Sequence, residues 1–374
     1  MVNSPKKPLE REPSAISRRD FIGVTIGAVA AGMAVGCGSS GGGQPNTAAL
    51  AGTGGTGAGG TATGGAGDTA AGGTGTGGVA GTGGDSGTAG PPLVALVRGT
   101  DWVQATQDAI ALVGGLPDLT GKTVMLRPNV CEPIADSTAS PDVIHGVILA
   151  VKAKGATNII VAEDGFNNGG DTLSAMQTLG ITAVCIAEGA TAMDLSKQTY
   201  TNRTNINANA YPNGVSFSDP VYDADYVIAI PKCKTHGAAK YTMALKLWYG
   251  NVPPSARSHS STWAAPAELH LIKNADFVVL DATETMTTGG PTAGGTMVQS
   301  KIVVASKDAI AADLTGLLIE KYCGSTVIST VADAWNMAQI KRALALRIPG
   351  WLTESQQFPY AQQGVTEAAA IMGY

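Results

Sequence analysis

The chain has 374 residues, a formal net charge of -5 and 50 glycines, nearly half of them between Cys37 and Pro92. That acidic balance leaves no basic surface for wrapping nucleic acid. No apolar run reaches the roughly 20 residues of a membrane-spanning helix, and the glycines keep no collagen-like triplet period.

Residues 1–36 read as an address. Ser17-Arg18-Arg19-Asp20-Phe21-Ile22 precedes a short Gly/Ala-rich apolar stretch that ends at Gly36. A basic region ahead of a short apolar one is a secretory signal. The paired arginines resemble the twin-arginine export signal S-R-R-x-F-L-K, with Gly23 standing where Lys is preferred. Ala34-Val35-Gly36-Cys37 resembles a bacterial lipobox with Ala34 in place of the usual Leu. These resemblances imply export by the twin-arginine machinery to the cell envelope or periplasm. They also imply lipidation of Cys37, which would hold the protein at a membrane surface; the alternative is an ordinary cleavage site beside a free thiol. Residues 37–92 are Gly/Thr/Ala low complexity with almost no bulky apolar side chain. Such a segment cannot offset its ordering entropy and is expected to be a flexible tether spanning roughly 40 Å.

From Leu93 to Tyr374, short β-branched runs alternate with helical patterns. Strands are predicted at 93–97, 123–126, 158–161, 182–186, 226–230, 277–280 and 302–305. Helices are predicted at 103–113, at 141–154 with Ser140 as N-cap and Pro141 at its first position, through Met176, at 308–322 and at 331–346. The alternation predicts one α/β domain, a mostly parallel sheet flanked by helices. In such sheets ligands lie beyond the carboxyl ends of the strands.

Unusual polar residues collect at those ends. Arg127-Pro128-Asn129-Val130-Cys131 leaves one strand, and Tyr226–Ile230 runs into Pro231-Lys232-Cys233-Lys234-Thr235-His236, followed by Lys240, Thr242 and Lys246. This group predicts a locally positive concavity suited to a carboxylate or phosphate; otherwise the lysines extend over the surface of a loop and helix. Asp281 and Glu284 end another strand and can hold a cation, act as a base or pair with the lysines. Gly289–Gly295 is followed by a strand and not a helix, so a lid or turn is at least as good a reading as a phosphate cradle. Glu163-Asp164-Gly165 reads as an ordinary turn, although its carboxylates also suit a ligand. Asp308 reads as a helix cap. His145 and His270 fall in helical patterns and read as packed or solvated, whereas His236 and His259 lie on polar stretches. No H-x-x-x-H, G-x-S-x-G, P-loop or Rossmann glycine pattern is present. Cys131, Cys185, Cys233 and Cys323 show no iron–sulfur spacing.

Arg127-Pro128-Asn129, Thr138-x-x-Pro141, Pro231-Lys232-x-Lys234-Thr235-His236, Lys246-x-x-x-Gly250, Asp281, Gly289-Gly290-Pro291-x-x-Gly294 and Ser306-x-Asp308-x-x-Ala311-x-Asp313 follow in order. Together they resemble the domain of unknown function 362 family over most of Leu93–Leu317. Leu247 stands where members usually have Asn. Many members carry a C-terminal ferredoxin-like segment whose cysteines this chain lacks, so the resemblance implies no iron–sulfur cofactor. The family implies no particular reaction.

The residues predict an exported enzyme acting on a small anionic substrate. Arg127, Asn129, Lys232, Lys234 and Lys246 would hold the anion, and His236 or His259 would transfer protons. Asp281 would orient that histidine or hold a divalent metal, a cofactor the sequence leaves open. The alternative is a non-catalytic, lipid-tethered binder of an anion or envelope partner. An enzyme would gather His236, His259 and Asp281 around one cleft, whereas a binder would spread the lysines over an open face. Removal of Lys234 or His236 is expected to cost ligand binding and leave stability nearly intact.

Overall fold

The computed structural model describes residues 93–165, 171–204, 208–257, 264–349, 352 and 357–373. The export signal, the tether, Cys37 and His259 lie outside the described residues.

The strands are β1 (Val94–Arg98), β2 (Thr123–Pro128), β3 (Asn158–Glu163), β4 (Thr191–Asp194), β5 (Tyr200–Arg203) and β6 (Val215–Ser218). They continue with β7 (Tyr226–Ile230), β8 (Lys232–His236), β9 (Lys240–Thr242), β10 (Phe277–Met286), β11 (Met297–Val298), β12 (Ile302–Ser306) and β13 (Tyr360–Gln363). Among the helices are α1 (Trp102–Leu112), α2 (Pro141–Lys152), α3 (Thr172–Thr178), α4 (Ile181–Glu188) and α5 (Asp219–Asp223). The next are α6 (Ala244–Leu247), α7 (Ala265–Leu269), α8 (Ala309–Tyr322), α9 (Val331–Trp335) and α10 (Ala338–Leu346).

The main sheet runs β13-β1-β12-β10-β7-β2-β3-β4, and along this path only β12 is reversed. A mostly parallel sheet is therefore present, as the alternating pattern predicts. Its strands are apolar on both faces because both faces are covered. Val227, Ala229, Val278, Leu280 and Val304 enter one core, which α8 covers with Ile310, Leu314 and Leu317. Their neighbours Ile228, Ile230, Phe277, Val279 and Val303 enter the other, covered by Ala109 and Ile110 of α1 and by Val143 and Val147 of α2. This period-two partition is the strand's own geometry.

Two predicted elements are corrected. Residues 182–186 are not a strand but part of α4, bracketed by Gly180 and Gly189 in the left-handed conformation. Ile181 and Cys185, one helical turn apart, are its buried residues and Ile186 is exposed, so the short apolar run follows a period of 3.6 and not two. The strand comes later, as β4. The predicted helix at 331–346 is two helices, separated at Met337, whose backbone is extended. Ser140 and Asp308 cap α2 and α8 by accepting from Asp142 N–H and Ala311 N–H, as their positions predict.

Lys232 and Lys234 lie on neither a loop nor a helix. After Pro231 the chain continues as β8, which pairs with the second half of the long β10 and with β9.

Candidate functional site

A small cleft of about 50 Å³ opens where β2, β3, β8 and β9 run out. Its walls include Asn129 and Cys131 after β2, Glu163 and Asp164 at the end of β3, and His236 and Thr242 from β8 and β9. Lys246, Tyr249, Gly250, Arg257 and Pro291 complete them.

The acidic wall is built in pairs. Arg127, wholly buried, donates to Glu163 Oε1 at 3.0 Å and to the Ala162 carbonyl. Arg257 donates to Asp164 Oδ2 and, at 3.0 Å, to the Val252 carbonyl. Burial raises the Glu163 carboxyl to about 7, outweighing the opposing pull of Arg127. Asp164 is raised too, again by burial, against Arg257 and Arg127. A Cβ at Gly250 would collide with Glu163 Oε1, so the glycine of Lys246-x-x-x-Gly250 permits this close approach. Glu163 and Asp164 are thus cleft walls and not an ordinary turn. Arg127 buttresses Glu163 and is not among the residues that line the cleft.

The three lysines fare differently. Lys232 Nζ meets Asp281 Oδ2 at 3.3 Å with both side chains buried. Lys234, also buried, donates to the carbonyls of Ser137 at 2.6 Å and Pro291 at 2.9 Å and lies 3.6 Å from Cys131 Sγ. Burial lowers its ammonium from the ordinary range, and Cys131 opposes that shift. Lys246 is the lysine on the cleft wall; burial lowers it to about 8. Its short helix α6 is held by Asp313, which accepts from Ala244 N–H at 2.7 Å and Leu245 N–H at 3.1 Å. That bond explains the Asp ending the Ser306–Asp313 motif. The expectation that Lys234 could be removed with stability nearly intact is revised, because its loss strands the buried Ser137 carbonyl and the part-buried Pro291 carbonyl.

His236 borders the cleft, and its Nδ1 accepts from Ala238 N–H and Ala239 N–H, both at 3.1 Å. Those donors place the proton of a neutral ring on Nε2. Asp281 does not line the cleft. Its Oδ1 accepts from Thr283 N–H and Oγ1, and its Oδ2 from Ser140 N–H at 2.7 Å as well as Lys232. It joins β10, β8 and the start of α2, and it neither orients His236 nor offers an open oxygen. Among the described residues no three His, Cys, Asp or Glu side chains gather as a metal would require. His270, buried and stacked on Trp248 with ring centroids 4.4 Å apart, is lowered to about 4 chiefly by burial. His145 bonds Glu188 at 2.9 Å. The Gly-rich loop packs on β8: Thr235 Oγ1 donates to Gly289 O and Gly237 N–H to Gly290 O.

Three buried polar atoms of residues on the cleft wall have no hydrogen-bond partner among the described residues: Asn129 Oδ1, Glu163 Oε2 and Thr242 Oγ1. Sequence reasoning left Thr242 and Arg257 out of the site. Arg257 carries no local signal, whereas Thr242 follows the lysine block and its strand ends at the cleft.

Residues 124–317 match the model of the family described as Domain of unknown function (DUF362). The chain belongs to that family. The matched span begins in β2, ends in α8 and contains every residue named above on the cleft wall; β1 and α1 precede it. No curated protein matches the chain. Among solved structures, the lactate racemase apoprotein from Thermoanaerobacterium thermosaccharolyticum is similar at 13% identity, with a TM-score of 0.35. That similarity covers 50% of this chain and 50% of the racemase chain.

Proposed function

We propose that this DUF362 protein is an enzyme whose cleft binds a small carboxylate or phosphate anion. The observation that carries the reading is the set of buried, unpartnered atoms Asn129 Oδ1, Glu163 Oε2 and Thr242 Oγ1 beside Lys246. Buried polar atoms without a partner cost free energy; Thr242 Oγ1 and, when protonated, Glu163 Oε2 can donate to an anion, and Asn129 Oδ1 accepts from a water or hydroxyl bound with it. Lys246, charged below about 8, supplies the attraction for an anion. Glu163, poised near 7, and His236 through Nε2 are the proton-transfer groups, since a general acid or base works best near the operating pH. Asn129 and Lys246 keep the binding roles predicted for them. Arg127, Lys232, Lys234 and Asp281 act one layer behind, holding the wall in place.

The reading extends to the cell: the twin-arginine resemblance and Cys37 support export and a lipid tether. Labelled palmitate incorporation, abolished in Cys37→Ser, would test the anchor. For the site, calorimetric titration with oxalate and sulfate is the direct test. Binding weakened about tenfold or more in Lys246→Met is expected, an effect typical of losing a charged hydrogen-bond donor. Unchanged binding in that variant would refute the assignment. Turnover of any anion that binds, lost in Glu163→Gln with binding retained, separates the enzyme from the tethered binder.

A further inference from the structure

Cys131 stands just beyond the carboxyl end of β2 and borders two hollows. One is the cleft; the other, of about 190 Å³, is walled by Pro133, Gly165, Thr172 and Ala175. Of the other described cysteines, Cys185 and Cys233 are buried and Cys323 is partly exposed elsewhere. Two N–H groups converge on the Cys131 sulfur, Asn129 Nδ2 at 3.4 Å and Lys234 Nζ at 3.6 Å. The other two acceptors of Lys234, the Ser137 and Pro291 carbonyls, bring its acceptors to three, the number an ammonium satisfies. Both contacts present donors to the sulfur and so fix its position at the cleft. A further observation points to a ligand beside it: Asn129 Oδ1 and Thr242 Oγ1, on the wall of the same cleft, are buried and without a partner among the described residues.

We propose that Cys131 is the covalent nucleophile of this cleft, acting on an anionic substrate whose electrophilic carbon bears a leaving group. The inference rests on the reading of the cleft as an anion site. In the step, the Cys131 thiol gives its proton to solvent, and the sulfur electron pair forms an S–C bond as the bond from carbon to the leaving group breaks. The leaving group departs with that bonding pair and, where it is basic, takes a proton from the Lys246 ammonium. The step needs no oxidant or reductant. Lys246 holds the anion, and Asn129 and Lys234 hold the sulfur.

Alkylation reads this directly. Iodoacetate and iodoacetamide present the same carbon and the same departing iodide, but only the first is an anion. Labelling of the full chain at neutral pH, followed residue by residue by peptide mass spectrometry, should modify Cys131 about tenfold or more faster than Cys323. Cys131 should also favour iodoacetate over iodoacetamide about fivefold more than Cys323 does, because Lys246 attracts the carboxylate. Equal rates and equal preferences at the two cysteines would overturn the proposal, since they are what a merely accessible thiol gives. Oxalate binding to Cys131→Ser separates the two failures. Slow labelling with binding retained removes the nucleophile alone, and slow labelling with no binding removes the anion site as well.

Discussion

Strand β8 and helix α6 carry lysines from one stretch of chain, and the fold uses them in opposite ways. Lys232 and Lys234 point from β8 into the protein, one against Asp281 and the other against two carbonyls and a sulfur. Lys246 stands on the cleft wall, its helix held by Asp313. A lysine cluster in a sequence is therefore not yet an anion cradle. Two of these cations fasten β8 to its surroundings, and the third lines the cleft.

Breaking the buried set should cost stability first. Asp281→Asn leaves Lys232 without its carboxylate and should destabilise the protein by about 3–5 kcal/mol in urea unfolding. Lys234→Met strands the Ser137 and Pro291 carbonyls and should cost about 2 kcal/mol. Gly250→Ala forces a methyl against the Glu163 carboxylate; about 1–3 kcal/mol is expected, together with weaker anion binding. Lys246→Met should lie within about 1 kcal/mol of the parent while losing the anion, so that stability and binding separate between β8 and α6. If Lys246→Met unfolds the protein as readily as Asp281→Asn, the contrast between the two regions is false.

Acidity sharpens the same contrast. Glu163 and Asp313 are raised to about 7 by burial, so the folded chain holds protons that the unfolded chain releases. Their contribution to stability is complete below their ordinary values near 4 and is lost as pH rises through about 7. His270, lowered to about 4, acts oppositely: its contribution is present above about 6.5 and lost as pH falls through about 4. With two such carboxyls against one histidine, stability should fall from about pH 5 to pH 8. A Glu163→Gln variant should show a shallower fall, and an unchanged slope would contradict the burial of Glu163.

Much of the fold is legible in the chain because its core strands are apolar on both faces and its helices carry caps. Where the reading fails, the cause is local. Residues 181–188 form a run too short for either period to dominate, and the left-handed glycines at its ends decide for helix. The site is legible only in part. Asn129, His236 and Lys246 line one cleft, while Asp281 and two lysines are drawn into the support beneath it. Nothing in the composition of β8 distinguishes a lysine that meets a ligand from one that meets a buried carboxylate. That depends on β10, some fifty residues later in the chain, whose Asp281 falls opposite Lys232 in register. Glu163 and Asp164 read as a turn because their partners Arg127 and Arg257 lie far away along the chain.

The central claim is that Lys246 makes this cleft an anion site, and the most direct measurement is calorimetric titration of oxalate into the full chain across pH. Oxalate keeps its charge between about pH 6 and 9, so any change in affinity belongs to the protein. Lys246 titrates near 8 and Glu163 near 7; affinity should therefore fall as pH rises from 6.5 to 9, by about tenfold or more. Lys246→Met should bind weakly and lose the part of that fall that lies near pH 8. Affinity that is flat with pH and unaffected by Lys246→Met would contradict the account.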